Sequence, residues 1–330
     1  MCLLAGCSFV LYESPCDPVL PGPDDTGVSD DTGVSDDTGV SDDTGVSDDT
    51  GGPDDTGVSD DTGDTSEPTG LFIQVAPGGI HTCALTDAGE IECWGRSDEG
   101  QTSPPSMTAQ SITSGYAHSC ALDGDGKPTC WGLNNHGQAS PLAGPFVGLS
   151  AGGHHTCGLD ADGEIACWGR NNEAQLNVPV GVWAQVSAGW DHTCALDIRG
   201  WLHCWGGDMD AIEPPTGSQS TLASGQGFTC ALDLEGAIRC WGLDTAGETF
   251  PPDGNFLELA AGLAHACALD AEGIAVCWGD DTVGQRASPA ASLSGLSSSA
   301  GAMHSCALTG PPPAEEIECW GLDSQGQLSP

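Results

Sequence analysis

Seven times along this chain of 330 residues a His or Phe is followed two residues later by a Cys. A second Cys then opens a Cys-Trp-Gly triplet. Imidazoles and thiols at fixed spacing could ligate a metal, form a reactive thiolate centre or close disulfides. The cysteines fall into the pairs Cys83–Cys93, Cys120–Cys130, Cys157–Cys167, Cys194–Cys204, Cys230–Cys240, Cys267–Cys277 and Cys306–Cys319. Structural zinc sites are built from Cys-x2–4-Cys knuckles that together give four ligands. No such knuckle occurs among the paired cysteines, and neither a metal nor another cofactor is expected. The spacing favours seven disulfides, with reduced buried thiols and metal ligation as the alternatives. Disulfides would place the protein outside a reducing cytosol.

The elements that must position these pairs are short strands. In the first unit Gln74–Ala76, His81–Leu85 and Glu90–Trp94 read as strands, with a weak fourth after Gly100-Gln101. Asp87-Ala88-Gly89 makes the turn, with Gly89 suited to a left-handed position. Pairing Leu85 with Ile91 sets Cys83 opposite Cys93, close to the reach of a disulfide. The last unit lengthens its turn by three residues, yet Leu308 and Ile317 stay symmetric about Cys306 and Cys319. First Cys to first Cys, the units repeat every 37, 37, 37, 36, 37 and 39 residues. A period of this size with no helical periodicity marks stacked β units.

Other residues could do chemistry but recur too regularly to be a single site. The histidines are His81, His118, His155, His192, His265 and His304, with Phe228 in the fifth unit. They read as packing groups, each with a backbone hydrogen bond. The Trp after each second Cys (Trp94, Trp131, Trp168, Trp205, Trp241, Trp278, Trp320) reads as core between units. Gly78, Gly115, Gly152, Gly189, Gly225, Gly262 and Gly301 end the first strands, where a side chain would block the backbone geometry. The turns at Asp123 and Asp160 begin like calcium loops, but their twelfth positions are Asn134 and Asn171, so they read as hairpin turns. Unit four breaks the pattern most. Asp191, His192 and Asp208 could be put forward there as a catalytic set, but His192 is the shared structural His, and no enzyme activity is expected.

The formal net charge is −42, with only Arg96, Lys127, Arg170, Arg199, Arg239 and Arg286 as basic residues. Nucleic-acid binding needs clustered Lys and Arg, so it is not expected. An anionic membrane surface would repel the chain. Residues 1–22 form a tail, and residues 23–70 an acidic linker repeating Gly-Val-Ser-Asp-Asp-Thr. Pro23 to Thr69 holds 15 Asp and one Glu, with no Lys or Arg. Isolated Val residues there cannot build a core, so disorder is expected, with an average span of roughly 40 Å. Specific calcium binding would need a spaced ligand set that is missing. Leu4-Ala5-Gly6-Cys7 resembles a bacterial lipobox, which implies lipidation at Cys7 after removal of a longer signal. An extracytoplasmic lipoprotein of the outer membrane or cell surface, with a flexible tether, is the expectation; any membrane contact would be through that anchor.

The consensus Ala-Gly-x-x-His-Thr-Cys-Ala-Leu, then Cys-Trp-Gly-x-Asn-x-x-Gly-Gln, resembles the regulator of chromosome condensation repeat in a Cys-rich bacterial form. The resemblance spans residues 71–330 in seven units: 71–107, 108–144, 145–181, 182–217, 218–254, 255–293 and 294–330. It implies an all-β fold, a seven-bladed β-propeller of about 37-residue repeats. It also implies that the two residues between Gly and His lie on one face near the axis. The large side chains there are Ile80, Tyr116, His154, Trp190, Leu263 and Met303. Aromatic and Met anchors are typical of protein-binding surfaces, although the same side chains could simply plug the channel mouth. The expected function is a monomeric, non-enzymatic module for an unknown protein partner. Carbohydrate binding through Trp183, Trp190 or Trp201 is the second reading. Guanine-nucleotide exchange by family analogy is the third, without the basic features it would need.

Overall fold

The computed structural model describes residues 70–207, 214, 216–314 and 316–329. The Cys7 lipobox, the acidic linker up to residue 69 and Asp208 lie outside the described residues. Blade one consists of β1 (Phe72–Pro77), β2 (His81–Thr86) and β3 (Ile91–Gly95), paired antiparallel in that order. The same meander recurs through blade four, with β10 (Trp183–Ala188), β11 (His192–Asp197) and β12 (Leu202–Gly206). It ends in blade seven, with β19 (Leu293–Ser297), β20 (His304–Thr309) and β21 (Ile317–Gly321). Seven three-stranded sheets result, and together they form a seven-bladed β-propeller.

The cysteine register is as expected. Leu85 faces Ile91 and Cys83 faces Cys93; Leu308 faces Ile317 and Cys306 faces Cys319 despite the longer turn. All seven disulfides form, with Cα–Cα separations of 4.0–4.1 Å. Such closeness belongs to cross-strand pairs that do not exchange backbone hydrogen bonds. The turns are fixed by their leading Asp. Asp123 Oδ1 accepts from the backbone N–H of Asp125 and Lys127, and Asp160 Oδ1 from those of Asp162 and Glu164. These carboxylates are occupied as turn-formers, as read from the sequence.

The expected fourth strand does not form. After β3 the chain turns, and Gln101 is fully buried. Its Oε1 accepts the Glu99 N–H at 2.8 Å and its carbonyl accepts Trp131 Nε1 at 2.9 Å. Side-chain hydrogen bonds thus take over what a ladder would have done. The device repeats from Gln138 to Trp168, Gln175 to Trp205 and Glu248 to Trp278. Each Trp belongs to the blade after the buried Gln or Glu. Its ring packs between blades, as Phe146 and Trp168 do, and its N–H joins the two.

The histidines also do more than expected. Their partner is not a backbone group but the hydroxyl that precedes the first Cys of the following blade. His81 Nε2 meets Ser119 Oγ at 2.7 Å, His118 meets Thr156 at 2.8 Å and His155 meets Thr193 at 2.9 Å. His192 meets Thr229 at 2.9 Å and His265 meets Ser305 at 2.8 Å. Phe228 has no such bond to give, and the next blade carries Ala266 in place of the hydroxyl. Both sit in one apolar cluster. The strand-ending glycines follow from the same closeness. A Cβ on Gly152 would lie 2.1 Å from the Gly189 carbonyl oxygen, so only Gly lets adjacent blades approach.

Blades one and seven close the ring through backbone and side-chain contacts. Phe72 and Ala314 exchange two backbone hydrogen bonds of 2.8 Å. His304 Nε2 meets Thr82 Oγ1 at 2.8 Å, continuing the chain of imidazoles from blade seven to blade one. Trp94 Nε1 donates to the Gln327 carbonyl at 2.9 Å.

Two outcomes test this. Replacing Cys157 and Cys167 together by Ala should cost about 2–3 kcal/mol in chemical unfolding; no loss would mean the bond does not constrain the chain. Phe228→His alone should destabilise the fold by about 1–3 kcal/mol through an unpartnered buried imidazole. Adding Ala266→Ser should recover part of that, and a strictly additive double mutant would contradict the pairing.

Candidate functional site

The inner strands of all seven blades enclose a channel of about 220 Å3. Small side chains line it, among them Ser114, Ser150, Ser187 and Ser224. Several of these hydroxyls already bridge blades: Ser150 Oγ accepts the Ala188 N–H at 2.9 Å and Ser187 Oγ that of Ser224 at 3.0 Å.

One mouth of this channel is closed by the residues that follow the strand-ending glycines. The Tyr116 and Trp190 rings meet edge to face at 5.1 Å, and His154 stands 5.9 Å from Tyr116 and 5.3 Å from Trp190. A Cβ on Gly301 of blade seven would lie 2.9 Å from Tyr116 Cδ2 and 3.1 Å from Trp190 Cζ3. The two rings therefore reach across the axis. Blade seven allows this because its inner connection is longer, as the 39-residue spacing implies. A turn there has the Ala302 N–H bonded to the Ser299 carbonyl, and the Ala302 carbonyl, rather than that of Gly301, receives the Leu263 N–H.

The two variable positions of each blade are not equivalent. Tyr116 and Trp190 occupy the first, which is aimed at the axis. Ile80, His154 and Met303 occupy the second, where the carbonyl accepts the N–H after Cys-Trp-Gly: Arg96 to Ile80 at 3.0 Å, Arg170 to His154 and Leu322 to Met303 at 2.9 Å each. Ile80, Leu263 and Met303 are half-buried in blades one, six and seven. Of the six anchors expected from the sequence, three are thus brought into mutual contact.

The charged neighbours of this trio were not foreseen as a group. Arg170 Nη1 lies 3.2 Å from Asp191 Oδ1, and Gln175 Nε2 donates to the same oxygen at 3.4 Å. Burial pushes the Asp191 carboxyl up, against the pull of Arg170. His154 is held down to about 4, first by burial, then by Arg170 and His136, and the His136 ring lies 5.7 Å away. A signal was available: Arg170 is one of only six basic residues.

Among the described residues of blade four, the two members of the set read from the sequence are already engaged. His192 is buried and committed to Thr229, and Asp191 faces Arg170. Among the described residues no three His, Cys, Asp or Glu side chains converge as a metal site. Trp183 is buried against His203 and Trp205, so it offers no platform to a sugar.

The chain carries repeats of the family described as Regulator of chromosome condensation (RCC1) repeat, at residues 109–138, 146–175, 183–208 and 257–285. These four stretches lie in blades two, three, four and six, and the same paired cysteines recur in all seven blades. The chain is similar to the ectodomain of the Physcomitrella patens receptor kinase CR4, with a TM-score of 0.64 at 25% identity over 76% of this chain and 74% of that one. It is also similar to the CRINKLY ectodomain of the Arabidopsis thaliana receptor kinase ACR4, with a TM-score of 0.64 at 24% identity over 79% and 99%. Prp20p of Saccharomyces cerevisiae has a TM-score of 0.60 at 17% identity over 78% and 83%. No curated protein sequence matches the chain. The seven disulfides fit an oxidising, extracytoplasmic setting.

The buried imidazoles make stability depend on pH. Burial holds His81, His118, His155 and His304 down to about 3, and His192 and His265 to about 4. In the unfolded chain His titrates near 6.5. Between these values the unfolded state binds more protons, so stability is complete above about pH 6.5 and is lost as pH falls. The thermal midpoint, followed from pH 7 to 4 at constant salt, should drop with a steepening slope; a midpoint that stays flat or rises would contradict neutral buried imidazoles.

Proposed function

We propose that the propeller is a non-enzymatic module that binds a protein partner through the face bearing Ile80, Tyr116, His154, Trp190, Leu263 and Met303. One observation carries this reading: Tyr116, His154 and Trp190 close the channel and present a half-buried aromatic surface. The channel behind them, about 220 Å3, is smaller than the 300–1,000 Å3 of ordinary ligand pockets. A surface of clustered aromatic rings beside an Arg–Asp pair suits a protein partner better than a small enclosed ligand. Prp20p, which shares the fold, is described with binding properties toward Gsp1p and histones, so the architecture is compatible with partner binding. On this reading Cys7 carries a lipid and the acidic linker holds a monomeric propeller away from the membrane. Carbohydrate binding is the alternative for the same face.

Pull-downs with the wild-type propeller should recover a partner that is lost with Tyr116→Ala plus Trp190→Ala, while the thermal midpoint stays within a few degrees. An unchanged partner list would sink the proposed face. Glycan-array binding that disappears in the double variant would replace the protein partner by a sugar.

A further inference from the structure

We infer that blade four carries a second interaction surface, at the β11–β12 turn, and that its partner is a cationic protein segment bearing an apolar anchor. This turn lies at the far end of β11 from Trp190, roughly 16–20 Å along a six-residue strand. It is therefore independent of the face proposed above.

The turn departs from its counterparts in chemistry. The residue before the turn glycine is Ala88, Asp125, Asp162, Glu235 or Glu272 in other ten-residue hairpins, but Arg199 here. The residue after it is Trp201, which is 54% exposed, and Ile198 beside it is 71% exposed. Val182, also exposed, lies against this turn, since its carbonyl accepts the Ile198 N–H at 3.3 Å. Arg199 stands over the Trp201 ring at 4.9 Å.

The turn is held rigid from beneath. Asp197 is buried, and its Oδ1 accepts the N–H of Arg199 at 2.8 Å and of Trp201 at 3.0 Å. Its Oδ2 accepts Arg199 Nε at 3.0 Å and Nη2 at 2.5 Å. Ser218 Oγ donates to the Arg199 carbonyl at 2.9 Å. The exposed Trp–Arg pair is thus set before any partner arrives, which lowers the ordering cost of binding. Trp and Arg are also the residues most enriched in binding hot spots.

Charge identifies the occupant. The patch is apolar, and the guanidinium at its centre is already neutralised by Asp197. The equivalent turns around it carry acids and the chain has a net charge of −42, so a partner segment rich in Lys and Arg is attracted and an acidic one repelled. A sugar suits the patch poorly, because its hydroxyls would meet Ile198 and Val182 while the Arg199 fork is already engaged.

Panning a phage-displayed random peptide library on the full-length chain tests this. Enriched peptides should combine net positive charge with an aromatic or large aliphatic residue. The synthesised winner should bind at least about tenfold more weakly to Trp201→Ala and more weakly as salt rises from about 50 to about 300 mM. Trp201→Phe should retain part of the affinity, and Trp190→Ala should leave it unchanged. Both Trp201 variants should keep the wild-type thermal midpoint within a few degrees, since Trp201 is exposed. Enrichment of neutral or acidic peptides, equal binding to Trp201→Ala, or loss in Trp190→Ala instead would overturn the inference. Glycan binding lost in Trp201→Ala would also overturn it.

Discussion

At all but one seam, each blade of this propeller is held to the next by one buried imidazole reaching one hydroxyl. The bond is short, lies away from water, and recurs at six of the seven seams. It demands a neutral His, a Ser or Thr directly before the first Cys of the following blade, and a Gly where the backbones nearly touch. The remaining seam, Phe228 against Ala266, replaces the polar pair by an apolar one. Removing both partners together is the change that leaves no buried polar group unsatisfied.

Much else follows from that seam. The disulfides tie middle to outer strand within a blade, while the imidazoles and the Trp N–H groups tie blade to blade. His304 with Thr82 and Phe72 with Ala314 carry the same logic across the junction of the two chain ends of the domain. Nearly all the residues that first suggest chemistry are used in this way. What the scaffold leaves free is the pair of positions between Gly and His, and the turn of blade four.

The hairpins could be read directly from the sequence because their contacts are local. Two cysteines ten residues apart around a turn glycine admit few registers, and Leu85–Ile91 was the one adopted. The fourth strand was misread because Gly100-Gln101 looks extended until Gln101 is seen folding its own amide onto the backbone. The His partners were missed because they lie 37 to 40 residues away, or 222 across the closure. Even so, a clue was present in the paired departures Phe228 and Ala266. The variable face could be found from what differs among units, but not which members converge. Tyr116 and Trp190 lie two blades apart and touch only because both rings are long enough to reach the axis.

If the seams carry the fold and the variable face is laid upon them, a small buried seam residue matters more than a larger half-buried face residue. Unfolding of His118→Ala and Tyr116→Ala by denaturant compares the two directly. The expected result is a loss of about 2–4 kcal/mol for His118→Ala, from the cavity and the lost hydrogen bond to Thr156, and about 1 kcal/mol for Tyr116→Ala. A larger loss for Tyr116→Ala would contradict it, and would place the stability of the ring in the plug at its axis rather than between its blades.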